Sequence, residues 1–454
     1  MNSLPPEVLQ NFAERLRPTD LRSLRLVDKT FAAVAARPLF EVIHFNGVPQ
    51  QDRFPYFPEA ITFDQKHIGP KRTVEYSQLH HAISEVLPLA PYVKTFIFSP
   101  FYYREGFWQD YGLYLASQAE EPVDPEDIPD APEDYEDAVE SVIQERLSRP
   151  EREAPLIEAG KRTWVENIAK QNANAQKVID FLARFFEASK RLEKIEINPC
   201  EFEGYQGLHF YSFAVDSMRN DSSSTTVDFL DMLGTALQSV NRHIKSLCVT
   251  EPMPELINDT SANRHIFTGL THLRLDTTHV EFMLKDAPIS QNFVELFKCA
   301  QPTLRSLEII GGGKWLQLPS TGEHSLLKML CDGTPESPLV FPKLQRIYLC
   351  SLILSTPPLM KFITSQPNLT SIEVGFVFLS TPSFGWRYFA KSLPISVKSW
   401  KIRGRLGHEP IANRRPADPN WMREWIPSKD LLSDGAGWKI TATRPFGVTA
   451  FRRV

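Results

Sequence analysis

The apolar residues of this chain recur in one short pattern, apolar-x-x-apolar-x-apolar. Its last two apolar positions enclose a single residue, and such alternation predicts a β-strand with one buried face. The copies are Phe40, Ile43 and Phe45; Val93, Phe96 and Phe98; Leu192, Ile195 and Ile197; Ile244, Leu247 and Val249; Leu270, Leu273 and Leu275; Leu304, Leu307 and Ile309; Leu344, Ile347 and Leu349; Leu369, Ile372 and Val374; and Val397, Trp400 and Ile402. We predict one strand at each copy.

Apolar stripes with helical spacing lie between several copies. They are Phe229, Leu233, Leu237 and Val240; Phe293, Leu296 and Phe297; Leu326, Leu327 and Leu330; and Leu359, Phe362 and Ile363. From Leu192 onward the copies begin 52, 26, 34, 40, 25 and 28 residues apart, which is typical of irregular leucine-rich repeats. One strand–helix unit cannot cover its own apolar face, so stacked units share a core. We therefore expect an α/β fold: an irregular leucine-rich-repeat solenoid with a parallel sheet on the concave face and helices on the convex face.

Four prolines support this register. Pro91, Pro302, Pro342 and Pro367 each stand two residues before the first apolar residue of a strand. Proline cannot continue a helix, and it biases the preceding residue toward extended geometry. Each of the four is therefore expected to end one helix and lead into the next strand.

Residues 1–45 form a separate block with the pattern of three short helices. The first is expected to start at Pro6 and run to about Leu16, the second to be capped by Thr19 or Asp20, and the third to carry Val27, Phe31 and Val34. Helical segments this short bury too little surface to be stable alone. Two interpretations remain open: the block docks on a helical partner, or it caps the amino end of the solenoid.

The repeat domain is predicted to span residues 46–454, with an acidic and helical insertion at about 100–165. Residues 119–140 contain eleven acidic residues and no Lys or Arg. The proline-rich first half of that segment is expected to be a solvated loop. Helical patterns then begin at Tyr135 and again at Trp164.

Composition narrows the function classes. With a net charge of −5, the chain as a whole lacks the positive charge that is typical of nucleic-acid-binding proteins. No apolar run is long enough to span a bilayer, and the amino terminus lacks a secretory pattern. The five cysteines are scattered, without a CxxC pair, so we expect free thiols and a cytoplasmic or nuclear location.

Signals for catalysis or cofactor binding are weak. Gly311, Gly312, Gly313 and Lys314 lack the spacing and the Ser or Thr of a phosphate-binding loop. His265, His272 and His279 straddle a strand, and His80 and His81 are expected to point to different faces. Three strand-flanking arginines, Arg274, Arg305 and Arg346, suggest a phosphate-acceptor surface unless neighbouring carboxylates pair with them. We expect no cofactor, no metal and no enzymatic activity.

The amino-terminal block resembles the F-box. The matching residues are Leu4, Pro5, Pro6, Glu7, Val8 and Leu9; Leu16; Asp20, Leu21 and Leu24; Arg25, Leu26 and Val27; and Lys29, Phe31, Leu39 and Phe40. Asp28 departs from the family, which often has a small residue or cysteine there. The whole chain looks like fungal F-box proteins with leucine-rich repeats.

This resemblance implies the substrate receptor of an SCF-type cullin–RING ubiquitin ligase, in which the F-box docks on the Skp adaptor and the repeats hold a substrate protein. The implied docking residues, some of which must pack the block internally, are Leu4, Pro5, Val8, Leu9, Leu16, Leu21, Leu24, Val27 and Phe31. Two other readings remain: a repeat scaffold that works outside any ligase, and an enzyme built on a solenoid. The second would need a cluster of titratable side chains in a pocket.

Overall fold

The structure is a computed structural model of the chain. It describes residues 5–46, 72–74, 76–102, 135–197, 200–201, 229–250, 258–277, 287–311, 330, 338–350, 352–354, 356–379, 386–408, 438–443 and 448–453. The predicted strands and helices that fall in these ranges can be compared directly with it.

Helices and strands alternate along most of the chain. The helices are α1 (Pro6–Ala13), α2 (Pro18–Leu24), α3 (Lys29–Leu39), α4 (Leu79–Val86), α5 (Tyr135–Ala188), α6 (Phe229–Ser239), α7 (Ser261–Phe267), α8 (Ala287–Ala300), α9 (Thr356–Ser365) and α10 (Trp386–Ser392). The strands are β1 (Val42–Asn46), β2 (Arg72–Thr73), β3 (Thr95–Ser99), β4 (Phe101–Tyr102), β5 (Lys194–Ile197), β6 (Cys200–Glu201), β7 (Ser246–Thr250), β8 (His272–Thr277), β9 (Ser306–Gly311), β10 (Arg346–Cys350), β11 (Ile353–Leu354), β12 (Ser371–Leu379), β13 (Ser399–His408), β14 (Trp438–Thr443) and β15 (Val448–Arg453). Two short 3-10 helices, Tyr76–Gln78 and Leu87–Tyr92, flank α4.

The fold is mixed α/β, built around one sheet of 13 strands. The strand order is β2-β1-β3-β5-β7-β8-β9-β10-β12-β13-β15-β14, and β11 pairs with β12. Every pairing from β2 to β13 is parallel, whereas β13–β15 and β15–β14 are antiparallel. Each of the nine predicted strands is present, and together they follow chain order across the sheet.

Two rows of buried side chains explain this order. The second apolar residues of the patterns are in register, and they are Ile43, Phe96, Ile195, Leu247, Leu273, Leu307, Ile347, Ile372 and Trp400. The third residues form a parallel row of Phe45, Phe98, Ile197, Val249, Leu275, Ile309, Leu349, Val374 and Ile402. None of these side chains is more than 5% exposed. A slip of one residue would turn a whole strand's set away from the core, so burial fixes the register.

One backbone hydrogen-bond arrangement recurs at the start of the strands. The carbonyl oxygen of the residue before a strand accepts two N–H groups from the next strand of the parallel run. The Glu41 oxygen, for example, accepts from Lys94 and Thr95, at 2.8 and 3.0 Å. The acceptors are Glu41, Lys94, Glu193, Lys245, Thr271, Arg305, Gln345 and Thr370, and the last pair of donors is Lys398 and Ser399. Successive strands are thereby tied at the same end of the sheet.

The helices form a second layer in which consecutive helices pack side by side. Close contacts join α4 to α5, α5 to α6, α6 to α7, α7 to α8, and α9 to α10. The two helical patterns predicted from Tyr135 and Trp164 belong to a single helix, α5. Its last turns enter the core through Phe185 and Phe186, whose rings contact Phe96. Residues 103–134, which include the predicted acidic loop, lie outside the described residues.

The amino-terminal helices have a small core of their own. Ala13, Leu21, Ala35 and Leu39 are buried together, apart from the main core. Three predictions about helix ends are wrong. The third helix begins at Lys29, so Val27 precedes it. Helix α1 ends at Ala13 instead of about Leu16, because Arg17 is held extended by Pro18. Helix α2 is capped neither by Thr19 nor by Asp20, since Pro18 starts the helix and has no N–H that requires a cap.

The carboxyl-terminal hairpin closes the other end of the sheet around an aromatic cluster. The Trp400 ring lies 6.4 Å from Trp386, 6.3 Å from Trp438 and 5.2 Å from Phe451, between ring centroids. The indole N–H of Trp438 donates to the carbonyl oxygen of Ala390 at 3.1 Å. These three tryptophans therefore serve the core, as most tryptophans near a domain end are expected to do. Trp421 and Trp425 lie outside the described residues.

Gly234 marks the closest approach between two helices. A Cβ atom at this position of α6 would lie 2.5 Å from the carbonyl oxygen of Ala262 in α7. Because the obstacle is backbone, a side chain could be accommodated only by moving the helices apart. The backbone of α7 thus packs against α6 at a distance that only glycine allows.

We predict that Gly234→Ala lowers the free energy of unfolding by about 1–3 kcal/mol, the typical cost of overpacking. Helix propensity alone predicts the opposite sign, a gain of about 1 kcal/mol. Chemical denaturation monitored by circular dichroism distinguishes the two. Gln238→Ala, at an exposed position of the same helix, is the control and should leave stability nearly unchanged. A stabilised Gly234→Ala variant would contradict the close packing.

Candidate protein-interaction surfaces

The amino-terminal helices expose a set of large apolar side chains. Val8 and Phe12 lie one turn apart on α1 and are 47% and 54% exposed. Leu26 and Val27, in the turn between α2 and α3, are 87% and 63% exposed. Isolated exposed apolar residues are ordinary, but four on a block this small make it a candidate docking surface.

The structure sorts the nine docking residues that the resemblance implies. Pro5, Val8 and Val27 are exposed, Leu9 and Leu21 are buried, Leu16, Leu24 and Phe31 are partly buried, and Leu4 lies outside the described residues. Leu9 and Leu21 cannot contact a partner while the block stays folded, whereas the exposed and partly buried side chains can. Phe12 and Leu26 are also exposed but are missing from the implied set. The helical spacing of Val8 and Phe12 was a signal for Phe12, and Leu26 was among the residues that match the F-box.

Polar contacts hold these helices in place. The Asp28 carboxylate accepts a hydrogen bond from the Phe31 N–H at 2.9 Å, so Asp28 caps α3. The departure from the family at this position therefore has a local structural role. Arg17 donates to Asp20 at 3.0 Å across the start of α2, and the Arg25 guanidinium lies 4.9 Å from the centre of the Phe40 ring.

The face of the sheet opposite the core is the second candidate surface. Its central row runs through His44, Ile97, Glu196, Cys248, Arg274, Glu308, Tyr348, Glu373 and Lys401. The positions on β3, β5 and β7 are buried, and those from β8 to β13 are partly or fully exposed. The second half of this face is accordingly open to a partner.

The three strand-flanking arginines differ in their surroundings. A guanidinium nitrogen of Arg274 lies 3.9 Å from a Glu308 carboxylate oxygen, too far for a hydrogen bond. Arg305 and Arg346 are exposed and form no ion pair within the described ranges. The nearby Glu308 carboxylate therefore argues against a phosphate-acceptor site at Arg274. No such carboxylate partner argues against one at Arg305 and Arg346.

His80 and His81 point to different faces of α4 as expected, since His80 is buried and His81 is exposed. Their ring centroids are 3.9 Å apart at the start of α4, because rotation of the side chains brings together two rings that leave the helix in different directions. His80 is buried, and its pKa is lowered by burial and by the nearby charges of His81 and Lys177. His265 stacks on His243, with 4.3 Å between centroids, and not on His272. His279 lies outside the described residues.

A row of ion pairs connects the amino-terminal block with the sheet. The Lys94 ammonium lies 3.6 Å from Glu41 and 3.9 Å from Glu193, and Lys245 donates to Glu193 at 2.8 Å. The Lys245 hydrogen bond is the main cause of the lowered pKa of Glu193, and the charges of Lys245, Lys94 and Arg191 add to it. All four side chains of the row are largely exposed, so each pair is weak on its own.

Comparison with known proteins adds no family assignment. No family model matches the chain, and no curated protein matches its sequence. Among the described residues, no three His, Cys, Asp or Glu side chains are grouped so as to hold a metal ion. No helix in the described ranges has the length and apolar content needed to cross a membrane.

We predict that Glu193→Gln lowers the free energy of unfolding by about 0.2–1 kcal/mol at neutral pH, the usual range for exposed ion pairs. The pKa of Glu193 is lowered in the folded state, so its contribution is fully present above the unfolded pKa, about 4.3. It is lost as the pH falls through the folded pKa, and the variant should then equal the parent.

Denaturant titrations between acid and neutral pH check this prediction. Glu187→Gln, at an exposed position near the end of α5, is the control and should match the parent at every pH. A difference between parent and Glu193→Gln that persists at acid pH would show that packing, and not charge, is responsible.

Proposed function

We propose that the chain is the substrate receptor of an SCF-type cullin–RING ubiquitin ligase. Residues 1–45 would be an F-box that docks on the Skp adaptor, and the remaining chain a leucine-rich-repeat solenoid that holds the substrate. The observation that carries the proposal is the set of large apolar side chains, Val8, Phe12, Leu26 and Val27, that the amino-terminal helices leave exposed.

The packing of this block favours docking over a simple capping role. A cap would turn its apolar side chains toward the sheet that it covers. Here the small core of Ala13, Leu21, Ala35 and Leu39 is separate from the main core, and the exposed set remains uncovered by the described residues. A partner that buries these side chains would supply the missing apolar contacts.

The attachment of the block supports a receptor role. Helix α3 runs directly into β1, which is a strand of the main sheet. An adaptor bound to the helices would therefore keep a fixed position relative to anything bound on the sheet. A receptor of this kind acts by proximity, because it raises the local concentration of substrate lysines at the conjugating enzyme, and it needs no catalytic residues.

Co-expression with a Skp adaptor tests the proposal. We predict that the intact chain forms a stoichiometric complex and that Val8→Asp/Phe12→Asp weakens it by about thirtyfold or more, as expected when hot-spot contacts are lost. Both positions are exposed, so the variant should stay folded, which circular dichroism can verify. Calorimetry with the purified adaptor gives the affinities.

A matched control is Tyr388→Asp/Ile395→Asp, which places two charges at positions that are 47% and 82% exposed on another part of the chain. It should bind the adaptor like the parent. Equal loss in both variants, or a folded parent chain that forms no complex, would contradict the receptor role. In the second case a repeat scaffold outside any ligase becomes the better account.

A further inference from the structure

The residues that directly precede the strands form one continuous edge, which we call the amino margin. It consists of Glu41, Lys94, Glu193, Lys245, Thr271, Arg305, Gln345, Thr370 and Lys398, in spatial order from β1 to β13. Backbone hydrogen bonds link each of these residues to the next, so adjacent side chains are about 4.8 Å apart, the spacing of neighbouring strands.

The first half of the amino margin neutralises itself. Its side chains alternate in sign, Glu41, Lys94, Glu193 and Lys245, and every neighbouring pair is within ion-pair distance. An added anion or cation would have to compete with an existing partner. This half is therefore a poor surface for a charged ligand.

The second half has a different composition. From Thr271 to Lys398 it carries cations and neutral polar side chains but no carboxylate. Arg346, the first residue of β10, adds another exposed cation. Its backbone N–H donates to the Arg305 carbonyl oxygen at 3.0 Å. Arg305, Arg346 and Lys398 form no ion pair with any residue that the structure describes.

The adjoining part of the sheet face carries both signs of charge, because Arg274 lies 3.9 Å from Glu308 on the neighbouring strand. The Nε atom of Arg274 is buried and has no hydrogen-bond partner within the described ranges. The pKa of His272 is lowered first by burial and then by the charge of Arg346. The carboxylates of this face, Glu308 and Glu373, lie three residues along their strands from the margin residues Arg305 and Thr370.

We propose that the second half of the amino margin, from β8 to β13, binds an extended acidic segment of a protein partner. The proposal rests on the receptor role proposed above, since it names the class of substrate segment that the sheet would hold.

The spacing of the cations favours several carboxylates over one phosphate group. Arg305 and Lys398 are separated by three strand steps, about 14 Å. An extended peptide advances about 6.6 Å for every two residues, so acidic residues on one side of it could reach successive cations. A single phosphate group is too small to contact both ends of this stretch.

Fluorescence anisotropy tests the proposal with the full chain and a labelled peptide of alternating Glu and Ser. Arg305→Gln/Arg346→Gln should bind this peptide about tenfold more weakly or worse, because two charge-assisted contacts are lost. Lys190→Gln/Lys391→Gln, which removes two exposed cations elsewhere, should bind within about twofold of the parent. Thermal unfolding of all three proteins verifies that they are folded.

Three outcomes would overturn the proposal. They are no binding of the peptide to the parent chain, equal weakening in both double variants, and binding of a Ser peptide with one phosphoserine in preference to the Glu peptide. Equal binding of a peptide with Gln in place of Glu would also contradict it. Adaptor binding is measured on the same samples: a chain that binds the peptide but not the adaptor removes the receptor role and leaves the acidic-segment proposal standing.

Discussion

The shared carbonyl hydrogen bonds at the amino margin are the arrangement on which the rest of the structure depends. Each carbonyl oxygen accepts the first two N–H groups of the next strand unit, so the register of one strand determines that of the next. The buried rows then follow, because period-two alternation places every second side chain in the core. The spacing between successive strand patterns varies from 25 to 99 residues without disturbing this register, since loop closure costs little more as loops lengthen.

The same constraint reaches the amino-terminal helices. Because β1 takes part in the register through Glu41, the block that precedes it is attached to the sheet by backbone hydrogen bonds as well as by ion pairs. In the proposed receptor, the distance between adaptor and substrate would be a property of the fold and not of a flexible linker. The effective concentration of substrate at the ligase would then depend little on linker entropy.

The sheet also separates positions that packing fixes from positions that it leaves open. Core side chains such as Leu307 are enclosed on all sides and must be apolar. None of the side chains on the amino margin is buried, so their charges can vary without loss of the fold. The first half of the amino margin forms ion pairs. The second half and the adjoining Arg346 present three cations, Arg305, Arg346 and Lys398, without carboxylate partners among the described residues. Both proposed binding surfaces therefore lie at positions that packing leaves open, at the margin and on the amino-terminal helices.

The sequence by itself determined where nine of the described strands lie, that they share one buried face, and that three short helices precede them. These features follow from spacing along the chain, because backbone geometry makes alternation and helical stripes visible over a few residues. The prolines marked the approach to the strands for the same reason.

Only the tertiary structure decided which apolar residues of the amino-terminal helices are exposed and that Gly234 faces the backbone of α7. It also decided that the rings of His80 and His81 meet. Lys94 has ion-pair partners, whereas Arg305 has none within the described ranges. Exposure and pairing depend on which distant segments cover a side chain, and no local pattern contains that information. The sequence predicted the strands because their geometry is local, and it could not sort docking residues from core residues because burial is not.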